Sequence, residues 1–510
     1  VILWTRVTPD EPGVVGVSWE VATDAGFSNI VTSGSGTTSE DVDYTVKVDA
    51  SGLEPGSRYF YRFSSGSTVS PTGSTRTLPE GAVAAASFAV LSCSNYPVGY
   101  FHVYREVANA NVDAVVHTGD YIYEYTGGGD LAEELGRVSQ PPRELLSLQD
   151  YRTRYAQYRT DADLQAAHAA HPFLVVWDDH EVANNTWREG AENHDPATEG
   201  SFEERKMVAI QAWYEWLPVR PPSNVQDIIY RSFRYGDLLD LLMLDTRVVG
   251  RDKQYLYTDF ATGGSIDVER ARAAFGAPDR TLLGPEQLAW LREQLQNSSA
   301  LWQVLGQQVL LGRYHLPSPI MEALDPSLGT EDAINKGIVA VLATLDALRA
   351  PPDERTSEQE ALLDSAIPYN LDAWDGYEFE RDQLLAFARD LGSKLVVLSG
   401  DTHNAWSTQL TTPQGDIAGV EFGGTSVSST GLENALGEDA ATFFSPIIAE
   451  LIEDLRYADL KNRGYLVVEF TPQTVTAEHR FVDTVRSPEY SVVNALTRRS
   501  VVNRADMVLV

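Results

Sequence analysis

Four apolar runs in this chain stop abruptly on Cys, Asp or His, and this repetition constrains the fold more than any other feature. Ser87-Phe-Ala-Val-Leu-Ser92 ends on Cys93, the chain's single cysteine, and Val112-Asp-Ala-Val-Val116 runs into His117-Thr-Gly-Asp120-Tyr-Ile-Tyr123. Phe173-Leu-Val-Val-Trp177 meets Asp178-Asp179-His180-Glu181, and a fourth run closes on Ser399-Gly-Asp401-Thr-His403. Short apolar runs bounded by turn-forming residues read as buried strands. Open α/β sheets bind their ligands at the carboxyl ends of such strands. A buried thiol there is either an inert small hydrophobe or a metal ligand. With a phenol, several carboxylates and imidazoles at the other three ends, the four are expected to form one metal site.

A chain of 510 residues with 43% apolar content has room for two or three domains and a large core. Its formal net charge of -34 argues against nucleic acid or an anionic membrane as a bulk electrostatic partner. The plain meaning of the acidity is a solvated surface. Any phosphate-bearing substrate must then meet a locally positive site, which multivalent cations supply most directly. No apolar run reaches the ~18 residues of a membrane span, and one cysteine excludes an internal disulfide. The chain opens at Val1 inside a strand-like segment, so preceding residues, a signal peptide among them, are expected to have been removed.

Residues 1–80 carry short alternating segments, Val15–Val21, Tyr44–Val48 and Tyr59–Phe63, separated by Gly, Ser and Pro, as a β-sandwich does. Leu53-Glu-Pro-Gly-Ser-Arg-Tyr59 resembles the turn and tyrosine corner of fibronectin type III modules. Thr77–Gly81 reads as a linker. From residue 85 to 510, strands alternate with helical patterns such as 161–170 and 285–291, which argues an α/β layered domain. The stretch 315–373 reads as an insertion at the mouth of the site, with a helix near 338–348 and no strand. Its Tyr369, Trp374 and Tyr377 neighbourhood is expected to line the entrance.

With Leu3-Trp-Thr-Arg6, Ser92-Cys93, Gly119-Asp120-Tyr-Ile-Tyr123, Trp177-Asp-Asp-His-Glu181, Leu244-Asp-Thr-Arg247 and Ser399-Gly-Asp-Thr-His403, the chain resembles the PhoD-like alkaline phosphatase and phosphodiesterase family, a branch of the calcineurin-like metallophosphoesterases. The resemblance covers nearly the whole chain and is specific only in combination. It implies a four-layer αββα sandwich preceded by a small all-β, fibronectin III-like domain. Cys93 stands in the wider superfamily's first motif, Asp-x-His, and Tyr123 takes the second carboxylate's place in Gly-Asp-x-x-Asp, and thiolate plus phenolate favours a trivalent or soft transition metal. The resemblance implies Fe(III), completed by His403 and by Asp120 bridging to a second pocket. In that pocket Asp179 and Asp401 replace the superfamily's Asn and His, and such oxygen-rich shells suit Ca²⁺ or Mg²⁺. The family likewise implies one or two calcium ions with Asn185 or Asn184 as a further ligand. Gln307 is a lesser candidate.

Each residue also has a plainer meaning. Asp179 and Asp401 can be helix caps, and Arg247 either pairs with Asp245 or forks onto substrate phosphate. Tyr121, Tyr125 and Trp177 read as packing, and His117, His168 and His171 as structural. The carboxylates of 192–204 read as a solvated face.

The function implied is a secreted or periplasmic hydrolase of phosphomonoesters and diesters, exported folded by the twin-arginine route and acting as a monomer. A hydroxide bridging iron and calcium would attack phosphorus in line, with His180 hydrogen-bonding the phosphoryl group or protonating the leaving alkoxide. The alternative within the family is a phospholipase D-like phosphodiesterase acting on phospholipid headgroups. A surface-binding protein is the alternative from another class, and it has no need of four complete strand-end motifs.

Overall fold

The computed structural model describes residues 1–220, 229–329 and 332–510. The amino-terminal residues form a sheet in which Val15–Ala22 lies between Ile30–Thr38 and Arg58–Ser65, all antiparallel, with Thr68–Val69 and Gly73–Arg76 paired to Arg58–Ser65. Ile2–Arg6 and Thr45–Asp49 make a separate antiparallel pair. Alternation puts Val17, Val21, Tyr59 and Phe63 into a common core with Leu3. The Tyr59 hydroxyl accepts a hydrogen bond from the Glu54 backbone at 2.9 Å, the contact a tyrosine corner makes. This unit docks through Trp4, whose indole donates to the Glu215 carbonyl at 2.8 Å and whose ring lies 5.8 Å from that of Trp216.

Two larger sheets follow. The first runs in the order Phe173–Val175, Ala114–His117, Ala86–Leu91, Arg463–Phe470, Thr474–Val482, Arg498–Asn503, with its first three strands parallel. The second runs Arg231–Tyr235, Leu239–Met243, Trp302–Gly306, Leu395–Ser399, Ile417–Gly423, Ala405–Thr411, Leu455–Asp459, with its second to fifth strands parallel. Parallel strands buried on both faces need near-continuous apolar sequence, and Leu395–Leu398 is wholly buried. Its side chains sort by parity. Val396 and Leu398 share a core with Phe88, Val90 and Leu466 of the first sheet. Leu395 and Val397 share another with Leu291 of helix Gly284–Asn297 and Leu384 of helix Glu378–Leu391. The rings of Trp302 and Phe470, 6.1 Å apart, join the two sheets directly. Helices His102–Asn109 and Ala162–Ala170 belong to the first sheet's core, and Asp161 caps the second of them by accepting from the amides of Asp163 and Leu164.

The stretch 315–373 departs from its expectation. His315–Pro317 and Ala366–Pro368 are strands, paired antiparallel with each other, and close its two ends like a clasp. Three residues flanked by proline are too short to show a period in the sequence. The expected helix is longer, Ala333–Arg349. Thr330 and Glu331, within the same stretch, lie outside the described residues.

Candidate metal centre

The strand ends converge because their turns leave no room between them. Cys93, Asp120, Asp401 and His403 all have positive φ, between 55° and 63°, the left-handed conformation that turns a chain sharply off the end of a strand. A Cβ on Gly119 would lie 2.4 Å from the Asp178 Cβ, and one on Gly400 would lie 2.6 Å from the Ser92 hydroxyl. Only glycine permits these approaches, which draw the turns of both sheets onto one another. The backbone N–H of Cys93 donates to the Gly119 carbonyl at 3.2 Å, and that of Ser94 to the Asp120 carbonyl at 2.8 Å.

Two adjoining ligand sets result. In the first, ligand atoms of Cys93, Asp120 and His403 lie within 4.8 Å of one another. The Tyr123 hydroxyl joins them, 2.9 Å from Asp120 Oδ2 and 3.2 Å from His403 Nε2, and it accepts from Ser429 Oγ at 2.6 Å. His403 Nδ1 lies 2.6 Å from the Thr430 carbonyl, which fixes the ring so that Nε2 faces the cluster. Burial lowers this imidazole to about 4, leaving it neutral and able to ligate. In the second, Asp178, Asp179 and Asp401 come together, and Asp120 with Asp179 and His180 links the two. That linking group shares Asp120 with the first set and Asp179 with the second.

Burial and crowded acids dominate the electrostatics. Burial, reinforced by the charge of Asp120, pushes the Cys93 thiol well up, and burial likewise raises the Tyr123 phenol. Asp120 and Asp178 are raised well above the carboxylate range by burial and by neighbouring carboxylates, and Asp401 is pushed up to about 7. Burial works against ionisation of Asp179 too, yet Arg247 and His180 hold it below its ordinary value. Asp120 Oδ1, Asp178 Oδ2 and Asp179 Oδ1 are buried with no hydrogen-bond partner. Orphaned carboxylate oxygens are rare in folded proteins. Thiol, phenol and imidazole beside three such oxygens are donors that fit one softer or trivalent and one harder cation.

His180 faces both sets. Its Nδ1 lies 2.7 Å from Glu124 Oε2, and Glu124 is itself held by the Asn184 backbone at 2.7 Å and Asn193 Nδ2 at 2.9 Å. Burial opposes its charge, but Asp179, Glu124 and Asp120 outweigh that and keep it a cation.

Other expected residues are placed differently. Asp179 and Asp401 cap no helix, because irregular turns follow both strand ends. Arg247 touches Asp245 only through its backbone N–H, at 2.8 Å. Its guanidinium, wholly buried, forks onto carboxylates: Nε to Asp178, one terminal nitrogen to Asp372 at 2.6 Å and the other to Asp401 at 2.8 Å. Asn185 holds Asp179 through its backbone N–H at 2.6 Å, while its side-chain amide goes to Glu192. Both ends of the Gln307 amide are engaged, by Trp374 Nε1 and the Val309 carbonyl. Trp374 and Tyr377 are fully buried, so they line no entrance: tying the insertion to the core takes their polar atoms, as in the Tyr377 bond to the Asp252 carbonyl. His117, His168 and His171 are engaged by the Tyr104 hydroxyl, the Tyr121 hydroxyl and the Val107 carbonyl respectively.

Glu124, Asp178, Glu181 and Asp372 were not anticipated as part of the site. Asp178 and Glu181 stand within the Trp177–Glu181 motif and Glu124 follows Tyr123, so adjacency was an available signal. Asp372 had none, since only the fold returns the end of the 315–373 stretch to Arg247.

The chain is similar to known proteins along its whole length. The family model for PhoD-like phosphatase matches residues 88–479, and that for the PhoD-like phosphatase N-terminal domain matches residues 1–79. Alkaline phosphatase D of Bacillus subtilis (strain 168) is 35% identical over 525 residues, covering 99% of this chain and 79% of that protein. A solved structure of PhoD superposes with a TM-score of 0.80 at 33% identity, covering 100% of this chain and 88% of its own. A mixed α/β fold, both family models and a relative alike along its length lead to one assignment: the chain belongs to the PhoD-like phosphatase family and is a phosphoric ester hydrolase.

Proposed function

We propose that this chain is a metal-dependent phosphatase that releases phosphate from monoesters and also cleaves diesters, with Fe(III) and Ca²⁺ as its metals. The observation that carries the proposal is the convergence of a buried thiol, a phenol and three carboxylate oxygens without a hydrogen-bond partner around Asp120 and Asp179. Cys93, Asp120, Tyr123 and His403 would hold iron, and Asp120, Asp179, Asp401 and an Asn185 oxygen would hold calcium, with Asp178 and Asp372 adding negative charge. When bound, the cations would neutralise the phosphoryl oxygens and lower the pKa of water, which a site this acidic cannot otherwise do.

The chain's own residues then have separable tasks. His180, charged and steadied by Glu124, donates a proton to the leaving alkoxide from its other ring nitrogen. Arg247 keeps the acidic pocket's carboxylates from repelling one another. The two facing sheets with helices outside them are the layers of an αββα sandwich, and residues 1–80 a fibronectin III-like scaffold docked through Trp4. The catalytic domain spans 85–510 with 315–373 inserted. This reading also has the protein act as an exported monomer. Among the described residues no helix is long and apolar enough to cross a membrane.

Metal analysis of the purified protein tests the proposal. One iron with one or two calcium ions per chain is expected, and a zinc or manganese pair would refute it. Cys93→Ser should strip iron and its tyrosinate colour, whereas a variant with stoichiometric iron and full activity overturns the ligand assignment. Parallel assays on p-nitrophenyl phosphate, its bis ester and phosphatidylcholine separate monoester, diester and lipid cleavage.

A further inference from the structure

Glu181 is a fully buried carboxylate that neither ligand set uses, yet it holds parts of both. One oxygen accepts from the backbone N–H of Asp120 at 2.9 Å and of Asp178 at 2.6 Å, and the other accepts from Tyr121 N–H at 2.5 Å. The donors belong to two turns far apart in sequence, after strands Ala114–His117 and Phe173–Val175. Three amides aimed at one carboxylate make a strong anion cradle. Its occupant is a side chain of the protein itself.

We propose that Glu181 is a positioning residue that sets the spacing of the two metal pockets by fixing Asp120 against Asp178. Asp120 belongs both to the Cys93–His403 set and to the group that links it with Asp179, and it sits at φ 55°, a conformation uncommon for any residue but glycine. Gly119 already lets the two turns touch, but a contact at a missing Cβ resists compression alone and sets no angle. The bonds from Glu181 fix direction as well as distance. Through Cys93 N–H to the Gly119 carbonyl and Ser94 N–H to the Asp120 carbonyl, the Cys93 turn is carried along. Loss of the cradle should therefore loosen both pockets together, whereas loss of a ligand to one pocket loosens that one.

This inference rests on the two-metal reading above, and one experiment separates their failures. Wild type, Glu181→Gln, Glu181→Asp and Asp401→Asn are stripped with chelator, checked for folding by thermal melting, and titrated with Ca²⁺ and with Fe(III) in competition with a chelator. Glutamine keeps the size but turns an NH₂ toward backbone donors. In folded Glu181→Gln, affinity for both ions should fall about 10–100-fold, the usual loss when a partner of a metal ligand is removed. Glu181→Asp should recover part of it, and Asp401→Asn should lose calcium affinity alone. Faster hydrogen exchange across residues 118–123 and 177–181 in the glutamine variant is also expected. Glu181→Gln binding both ions within twofold of wild type, or losing only one of them, overturns the proposal. Failure of both Glu181 variants to fold also overturns it, since the residue then serves the fold rather than the spacing. Wild type binding neither ion refutes the two-metal reading instead.

Discussion

Arg247→Met offers the sharpest separation between a guanidinium that serves substrate and one that serves the protein. The wild-type side chain is fully buried with Asp178, Asp372 and Asp401 around it and Asp179 at 3.7 Å. Methionine keeps most of the volume and removes the charge. Breaking a buried ion pair by deleting one partner costs about 3–5 kcal/mol, because the remaining charge stays desolvated. Coulomb's law gives the same size: a unit charge at ~4 Å and an effective dielectric of ~20 is worth about 4 kcal/mol. An unfolding entropy of about 2.1 cal/mol/K per residue over 510 residues is roughly 1.1 kcal/mol/K, so the melting midpoint in chelator should drop by about 3–5 °C. Millimolar calcium should restore most of that, since a cation bound among the same carboxylates replaces the missing charge. Calorimetric melts with chelator and with calcium measure both effects. A shift below 1 °C in chelator, or a deficit that calcium leaves unchanged, would refute the reasoning. A raised KM with unaltered stability and metal requirement would instead return Arg247 to the substrate phosphate.

Three further outcomes are expected. His180→Ala should lower kcat by about 10²–10⁴ with metal content intact, and should hurt alkyl phosphates more than p-nitrophenyl phosphate, whose leaving group needs no proton; equal losses on both would rule out a general acid. Asp401 near 7 and the raised Cys93, Asp120 and Tyr123 hold protons in the metal-free chain at pH values below their folded-state pKa, and a cation must expel them. Affinity should therefore rise from pH 6 to 8, by up to about tenfold per unit for each proton released. Calorimetry in two buffers of different ionisation enthalpy counts the protons, and an affinity flat across that window contradicts the scheme. Trp4→Ala removes the indole that bonds Glu215 and carries the Arg159 guanidinium at 4.2 Å over its ring. Because that side chain is only partly buried, a loss of about 2–3 kcal/mol is expected, toward the low end for large-to-small changes. Faster proteolysis within residues 77–81 should accompany it, with metal content unchanged, and an unaltered cleavage rate would show that the docking lies elsewhere.

The amino-acid sequence by itself determined the strand ends and the residue types that stand on them. An apolar run followed by Gly-Asp or Asp-His is a local signal, because burial decides the run and turn chemistry decides its end. Cys93, Asp120, Tyr123, Asp179, Asp401 and His403 were therefore legible before any contact was known. So was the turn at Leu53–Tyr59, whose bond spans only from Tyr59 to Glu54. The tertiary structure alone decided what those side chains face. Arg247 lies two residues from Asp245 but spends its guanidinium on Asp178, Asp372 and Asp401, up to 154 residues away along the chain. Trp374 and Tyr377 look like entrance aromatics in sequence, yet Gln307 and Asp252 draw their polar atoms into the interior. Glu181 looks like the tail of a motif until the amides of Asp120, Tyr121 and Asp178 close around it. The physical reason is range. Strand periodicity and turn preference act over a few residues, whereas charge compensation in a buried site is settled by whichever groups the folded chain brings within a few ångströms, and no local pattern encodes that choice.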